Sequence, residues 1–239
     1  MKLSIILPVY NESKTLKKLM NQVLKTKISI DKEIILIESN STDGTRKIVK
    51  TYEKHPLCKV YYQDRPQGKG NALKEGFKHA TGDIILIQDG DLEYDPNEYQ
   101  KLIQPILDGK ADFILGSRHL SVNTHRVRKL EKTPFYAELL NFGHLFFTSL
   151  FNVLYCVKLT DPATMFKVYK RKCTKGIHFK SNYFELDWEI VAKLIKKGYK
   201  PLEVPVTYHS RSVAQGKKIR FFRDGSKVLY AIIKYRFFD

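Results

Sequence analysis

The feature that most narrows the fold is an alternation. Short apolar runs are followed, through the first half of the chain, by segments with helical periodicity. Leu3–Val9 is apolar but for Ser4, and Ile34–Ile37 and Ile84–Ile87 are wholly apolar. A strand with one wet face alternates polar and apolar residues, whereas runs like these need cover on both faces. Helical patterns lie between them. Ser13 opens the first, with Leu16, Leu19, Met20, Val23 and Leu24 on one side. Thr45–Lys54, Asn71–Thr81 and Asp95–Leu107 read as further helices, and Glu33–Glu38, Lys59–Gln63, Asp83–Gln88 and Asp112–Leu115 as strands. The expectation is an α/β fold with a mixed, mostly parallel sheet flanked by helices. Ligands in such sheets gather outside the carboxyl ends of the strands. The polar residues after Val9, Ile37 and Ile87 should therefore converge.

The second half reads differently. Asn123–Thr133 is a polar, basic loop, and Leu139–Val157 holds no Lys, Arg, Asp or Glu. That length approaches the ~20 residues of a membrane span. Asn141, His144, Thr148, Ser149 and Asn152 interrupt it, so a buried core helix and a helix lying in a bilayer interface both fit. A C-terminal helix over about 225–238 mixes Val228, Leu229, Ile232, Ile233, Phe237 and Phe238 with Lys227, Lys234 and Arg236, a pattern suited to an anionic membrane surface. The 239 residues suit one domain with two differently patterned halves, 1–120 and 121–239. Cys58, Cys156 and Cys173 form no metal-type or paired spacing, which fits a reduced, cytosolic setting; the start of the chain shows no signal-peptide pattern. The formal net charge of +17 fits either a lysine-rich solvated surface or a polyanionic partner: nucleic acid, an anionic membrane or a phosphate-bearing substrate. No helix-turn-helix, zinc-finger or RNP pattern supports the first.

Chemistry concentrates at Asp89-Gly90-Asp91. Two carboxylates flanking a glycine, where a buried strand emerges, can share a divalent cation, Mg²⁺ or Mn²⁺, and that cation can bridge a diphosphate. Chance D-x-D turns exist, but not commonly at a strand's carboxyl end. Pro8, Tyr10, Asn11 and Glu12 follow the first strand, and Glu38 and Ser39 the second; these are candidates for holding a nucleobase or ribose, against an ordinary loop. Asp43 and Gly44 read as a cap and a turn. Gly68-Lys69-Gly70 precedes a helix, where backbone N–H groups and Lys69 can approach phosphate, although the Walker spacing is missing.

Taken together, ILPVYNE (Ile6–Glu12), STDGT (Ser41–Thr45), GKGNALKEG (Gly68–Gly76), GDIILIQDGD (Gly82–Asp91), GSR (Gly116–Arg118), VPVTY (Val204–Tyr208) and GKKIRFFRDG (Gly216–Gly225) resemble the family 2 glycosyltransferases of GT-A (Rossmann-like) fold. The closest resemblance is to the polyprenyl-phosphate sugar synthases of the dolichyl-phosphate mannose synthase type. It implies a GDP- or UDP-sugar donor, a metal on Asp89 and Asp91, inversion at the anomeric carbon, and C-terminal helices at a membrane surface. It further implies Arg118 beside a phosphate, and Arg211, Lys217 and Lys218 near the donor or acceptor phosphates, with Asp224 matching as well. Glu38-Ser39 stands where relatives carry an Asp-Asp pair. Met165 and Lys167 replace the Gly and Arg of a Gly-Phe-Arg segment.

The acceptor divides the readings. A hydroxyl needs a general base, for which Asp187 and Glu189 are candidates and Asp161 a weaker one; a solvated or helix-capping role explains the first two more readily. A lipid phosphate is already anionic and needs only cations, which Arg118, Arg126, Arg128, Arg211 and Lys217 offer. The expectation is a polyprenyl-phosphate acceptor, with the protein cytoplasmic and peripheral at the cytoplasmic face of a membrane and no nucleic-acid partner. Transfer to a sugar hydroxyl, a basic nucleic-acid-binding protein and a pseudoenzyme are the alternatives.

Overall fold

The computed structural model describes residues 1–122, 126–128, 134–211 and 221–239. Its strands are β1 (Lys2–Val9), β2 (Asp31–Glu38), β3 (Cys58–Tyr62), β4 (Ile84–Ile87), β5 (Phe113–Ser117), β6 (Lys167–Lys170) and β7 (Leu202–Pro205). Its α-helices are α1 (Leu16–Lys25), α2 (Thr45–Lys50), α3 (Lys69–His79), α4 (Tyr99–Leu107), α5 (Pro134–Tyr155), α6 (Leu186–Lys196) and α7 (Phe221–Phe237). The strands form one sheet in the order β3-β2-β1-β4-β6-β5-β7. β1 pairs in parallel with β2 and β4, β2 with β3, and β5 with β7. β6 is antiparallel to both β4 and β5. The mostly parallel expectation holds, with one antiparallel strand inserted at its centre.

The apolar runs are buried as their pattern requires: Ile5–Leu7, Ile34–Ile37 and Ile84–Ile87 have almost no exposed surface. Each such Leu or Ile contributes roughly 1.5–3 kcal/mol. At the amino end of the sheet, Glu33 ties three elements together. Its carboxylate accepts from Ser4 Oγ (2.6 Å) and the Thr81 N–H (2.8 Å), and pairs with Lys2 (2.8 Å) and Lys59 (3.0 Å). Burial alone would raise its pKa; these partners outweigh burial and hold it well below the usual carboxylate range.

Several helix boundaries depart from the expected ones, two of them for clear local reasons. The helix beginning at Thr45 ends at Lys50, and turns carry the chain towards Pro56, which disfavours helix just before it. The segment from Asp95 begins as a 3₁₀ turn, Pro96–Glu98, with the Asp95 side chain accepting from the Asn97 N–H at 2.9 Å.

The charge-free segment forms most of α5. One side packs inward: Phe151 is fully buried against Trp188 (centroids 5.6 Å), and the Tyr155 hydroxyl donates to the Ile232 carbonyl of α7 at 3.0 Å. The other side exposes Phe135, Phe142, Phe146 and Val153, beside Tyr230, Phe237 and Phe238 of α7 and its end. No helix among the described residues is long and apolar enough to cross a membrane.

Candidate active site

The carboxyl ends of β1 and β4, the start of α3 and the faces of α5, α6 and α7 enclose a cavity of about 1160 Å³. One end is acidic. Asp89-Gly90-Asp91 follows β4 with only Gln88 between, and Glu12 follows β1. Gly90 fits a narrow place, since a Cβ there would lie 3.3 Å from Glu12 Cγ and 3.4 Å from the Pro8 carbonyl oxygen. The Arg211 guanidinium is clasped by Asp91 (2.7 Å), Glu12 (2.9 Å) and, more loosely, Glu93 (3.9 Å). Glu93 also accepts from the Arg211 N–H (2.8 Å) and the Tyr208 hydroxyl (2.9 Å). Burial, reinforced by the charges of Asp89 and Glu93, pushes the Asp91 carboxyl up to about 7, although Arg211 opposes the shift. Burial raises Asp89 as well, against the pull of Lys69. Clustered carboxylate oxygens in this state are short of positive charge. They are hard donors of the kind Mg²⁺ and Mn²⁺ prefer, and the clasped guanidinium shows that these oxygens can gather around one cation.

Beside the acidic end, Gly68 (φ +96°) caps α3, which places Lys69 in the first turn, earlier than the expected start at Asn71. The close approach needs glycine: a Cβ would sit 2.3 Å from the Asn182 carbonyl oxygen. The Lys69 ammonium bridges Asp89 (3.3 Å) and Asp187 (3.3 Å). Asp187 is held from its other oxygen by Lys167 (3.2 Å). Lys167 lies on the central antiparallel strand, is fully buried and also donates to the Thr164 carbonyl. Burial pulls its pKa below the ordinary lysine value, with Asp187 resisting.

The other end of the cavity is cationic. Arg118 follows β5 and forms a two-pronged pair with Asp161 (2.6 and 2.7 Å). Arg128 is nearly buried and lines the same wall, yet it has no carboxylate partner among the described residues; its guanidinium reaches only the Leu140 carbonyl, at 3.5 Å. Burial, and then the charge of Arg118, lowers the Arg128 pKa. His144 of α5 stacks on His119 (centroids 4.5 Å), and burial holds it well below the usual imidazole value despite Asp161. Nitrogen and oxygen atoms of His119, His144 and Asp161 lie within 4.8 Å of one another, close enough to hold a metal. Both Asp161 oxygens already serve Arg118, and two guanidiniums adjoin, so this corner suits an anion better than a cation. From here the wall turns apolar along Tyr136, Leu140, Phe147, Trp188 and Val228.

Of the residues singled out from sequence, Pro8, Tyr10, Glu12, Ser39, Gly68, Lys69, Asp89, Gly90, Asp91, Arg118, Asp187 and Arg211 line the cavity. Three do not. Asn11 (φ +50°) binds the two strand-end loops together, its N–H donating to Ser41 Oγ and its side chain accepting from the Thr42 N–H. Glu38 is fully buried and accepts from the Ser41 N–H (2.6 Å), with Arg46 3.4 Å from its other oxygen. Glu189 is fully buried; its oxygens take the Lys180 and Ser181 N–H groups (2.8 Å each) and Lys193 (2.9 Å). It is therefore no base for an acceptor in this cavity. Lys217 and Lys218 lie outside the described residues. Sequence reasoning missed Glu93 and His144 as wall residues. Glu93, two positions beyond Asp91, carried a usable signal; His144 read only as an interruption in an apolar segment.

A mostly parallel α/β sheet carrying a carboxylate cluster at its carboxyl edge defines the class as nucleotide-sugar-transferase-like. Residues 4–177 match the family described as glycosyl transferase family 2, and the chain belongs to it. It is 30% identical over 220 residues to a dolichol-phosphate mannosyltransferase of Pyrococcus furiosus, covering 91% of this chain and 59% of that protein, so it spans about three-fifths of that relative. It is 22% identical over 231 residues to glycosyltransferase AglJ of Haloferax volcanii, covering 96% and 70%. In fold it is similar to the Mycobacterium tuberculosis glucosyl-3-phosphoglycerate synthase crystallised with UDP (TM-score 0.68, 16% identity, 98% of this chain and 79% of that one). That enzyme has also been crystallised with Mn²⁺, UDP and product. Staphylococcus aureus TarS with UDP-GlcNAc is similar too (TM-score 0.61, 19% identity, 100% and 68%). These likenesses give the GT-A architecture expected from sequence.

Proposed function

We propose that the protein transfers a sugar, with inversion, from a nucleoside diphosphate to a polyprenyl phosphate. The observation that carries this reading is the two-ended cavity, above all the buried Arg128 with no carboxylate partner among the described residues. A buried cation left so is costly unless an anionic ligand completes it. Arg118 and His144 line the same cavity, and so do the apolar Leu140, Phe147, Trp188 and Val228. A phosphate head with a hydrocarbon tail matches both parts. The dolichol-phosphate mannosyltransferase among the relatives supports the same acceptor class.

The donor's diphosphate lies at the acidic end, with Asp89 and Asp91 holding Mg²⁺ or Mn²⁺ and Glu93 within reach. The ion supplies charge neutralisation to the departing diphosphate. Arg211 and Lys69 add cationic hydrogen bonds to phosphate oxygens. Pro8, Tyr10 and Ser39 line the side left for base and ribose. One acceptor phosphate oxygen, held by Arg128 and Arg118, attacks the anomeric carbon. The bond to the diphosphate oxygen breaks, and its electron pair leaves with the nucleotide. No proton has to be removed, because the nucleophile is already an anion.

Hydroxyl transfer fits less well. Asp187 is the one sequence-derived base candidate lining the cavity whose oxygens are not both tied to arginine or backbone groups, and each of its oxygens faces an ammonium. The exposed Phe135, Phe142, Phe146, Tyr230 and Phe237 supply a peripheral contact with an anionic membrane, and Lys227, Lys234 and Arg236 supply its charge. In this reading the enzyme works at the cytoplasmic face, and lipid phosphate rather than nucleic acid accounts for +17.

The test is a thermal-shift screen of GDP- and UDP-sugars with Mn²⁺, on the wild type and on Asp91→Ala. One nucleotide is expected to stabilise the wild type only with metal, and the variant, still folded, to lose the response. An equal, metal-independent shift in both proteins refutes the carboxylate site. Incorporation of sugar into an oligosaccharide in preference to a prenyl phosphate refutes the acceptor.

A further inference from the structure

Asp89, Lys69, Asp187 and Lys167 form an unbroken file of alternating charge, with consecutive contacts of 3.3, 3.3 and 3.2 Å. It starts at the diphosphate end of the cavity and finishes in the middle of the sheet. Lys167 is unusual within it. It is a fully buried ammonium on β6, pinned between the Thr164 carbonyl and Asp187, and it does not line the cavity. A lysine buried on a central strand needs a reason, since a leucine or methionine of similar volume would pack there without desolvating a charge.

We infer that Lys167 is a positioning residue for Asp187, and that Asp187 is the carboxylate that accepts hydrogen bonds from hydroxyls of the transferred sugar. This deepens the proposed function and rests on it. Three observations point the same way. Asp187 reaches the cavity wall next to Asp89, separated from it only by the Lys69 ammonium, so it borders the space just beyond a diphosphate held there. Each of its oxygens takes one ammonium proton, from Lys69 and from Lys167, which fixes the carboxylate plane and leaves a lone pair on each oxygen for a ligand hydroxyl. Phe184 and Tyr183 line the wall beside it, apolar surface of the kind on which a sugar ring face rests. Two acceptor atoms held in one orientation match a pair of neighbouring hydroxyls, and such a site rejects a sugar that lacks one or points it away. Lys69 contacts both carboxylates, so it is shared between the diphosphate and sugar parts of the donor. Lys167 touches only Asp187, so its loss should affect the sugar part alone.

The experiment compares affinities, with Mn²⁺ present, for bare GDP and UDP and for GDP-mannose, UDP-glucose and UDP-N-acetylglucosamine, by calorimetry on the wild type, Lys167→Met and Asp187→Asn. For whichever donor the wild type binds, Lys167→Met is expected to keep nucleoside-diphosphate affinity within about twofold. The ratio of sugar-nucleotide to bare-nucleotide affinity should fall about tenfold, the loss of one hydrogen bond to a charged group. A general folding defect would lower both affinities together and leave their ratio unchanged. Asp187→Asn, nearly isosteric, should lower the same ratio, and it decides the matter if Lys167→Met does not fold. The inference is overturned if either folded variant keeps the wild-type ratio. A wild type that binds the bare nucleotides but gains or loses nothing from any sugar overturns it while leaving the diphosphate site standing. A wild type that binds no nucleotide overturns both.

Discussion

Replacing Arg128 with methionine should make the protein more stable and less active. The guanidinium is nearly buried, lies near that of Arg118, and lacks a carboxylate partner among the described residues. Its backbone is anchored independently: the Arg128 N–H donates to Asn141 Oδ1 at 3.2 Å, and Asn141 Nδ2 donates back to the Arg128 carbonyl at 3.1 Å. Methionine keeps the apolar stem and removes the charge. An effective desolvation penalty of several kcal/mol per buried ion is offset only partly by the contact with the Leu140 carbonyl, and swaps of buried charge for packed apolar groups gain about 1–4 kcal/mol. A gain of about 1–3 kcal/mol is expected here, or about 2–4 °C in Tm for each kcal/mol in a chain of this size. Urea and thermal melts in phosphate-free buffer measure it. A short-chain prenyl phosphate should raise the wild-type Tm and leave the variant's unmoved. kcat/KM for that acceptor should fall about a hundredfold, because one partner of a buried charge pair is missing from the complex. Nucleotide affinity should not change. A variant that melts below the wild type in the absence of phosphate would mean that the guanidinium is already compensated, and the case for an anion site there would fail.

Glu33→Gln should lower stability by about 2–3 kcal/mol at neutral pH without touching nucleotide affinity. The folded-state pKa of Glu33 is depressed, so its contribution is complete above the unfolded value near 4.5 and is lost as pH falls through the acid range; wild-type and variant melts should therefore converge toward low pH. Gly68→Ala, which combines φ +96° with a backbone oxygen 2.3 Å from the new Cβ, should cost more than about 2 kcal/mol and displace Lys69. Gly44→Ala, with a similar φ of +95° but no atom within 4 Å, should cost only about 1 kcal/mol; equal melting points for the two variants would refute the close-approach argument.

What could be read from sequence follows from how locally each element is determined. β1, β2 and β4 are covered on both faces, so their apolar runs stand out, and the residues that follow them had to meet at one edge. β6 did not stand out. It is the four residues KVYK, and its first lysine is buried only because Asp187, twenty positions later, comes to meet it. β7 is equally short, with only Val204 of its four residues buried. The same distinction separates Asp187 from Glu189. They sit two apart in one acidic stretch, yet one reaches the cavity while the other is saturated by backbone N–H groups of the 180–181 loop. Arg128 was visible as one cation among several; that no carboxylate among the described residues pairs with it was not, because pairing is a property of the packed structure.

The two ends of the sheet treat charge in opposite ways, and that difference locates function. At the amino end Glu33 is matched by two lysines, a hydroxyl pair and backbone N–H groups, so its charge is stabilising and needs nothing further. At the carboxyl end, among the described residues, Arg211 meets Glu12, Asp91 and Glu93 and Lys69 meets Asp89, and burial with the neighbouring carboxylates pushes the Asp91 carboxyl up to about 7. Across the cavity Arg128 has the reverse deficit. A ligand that brings a cation to one wall and a phosphate to the other relieves both. In the proposed reaction, the folding free energy forgone at this edge would reappear as binding energy for a metal-bound donor and an anionic acceptor.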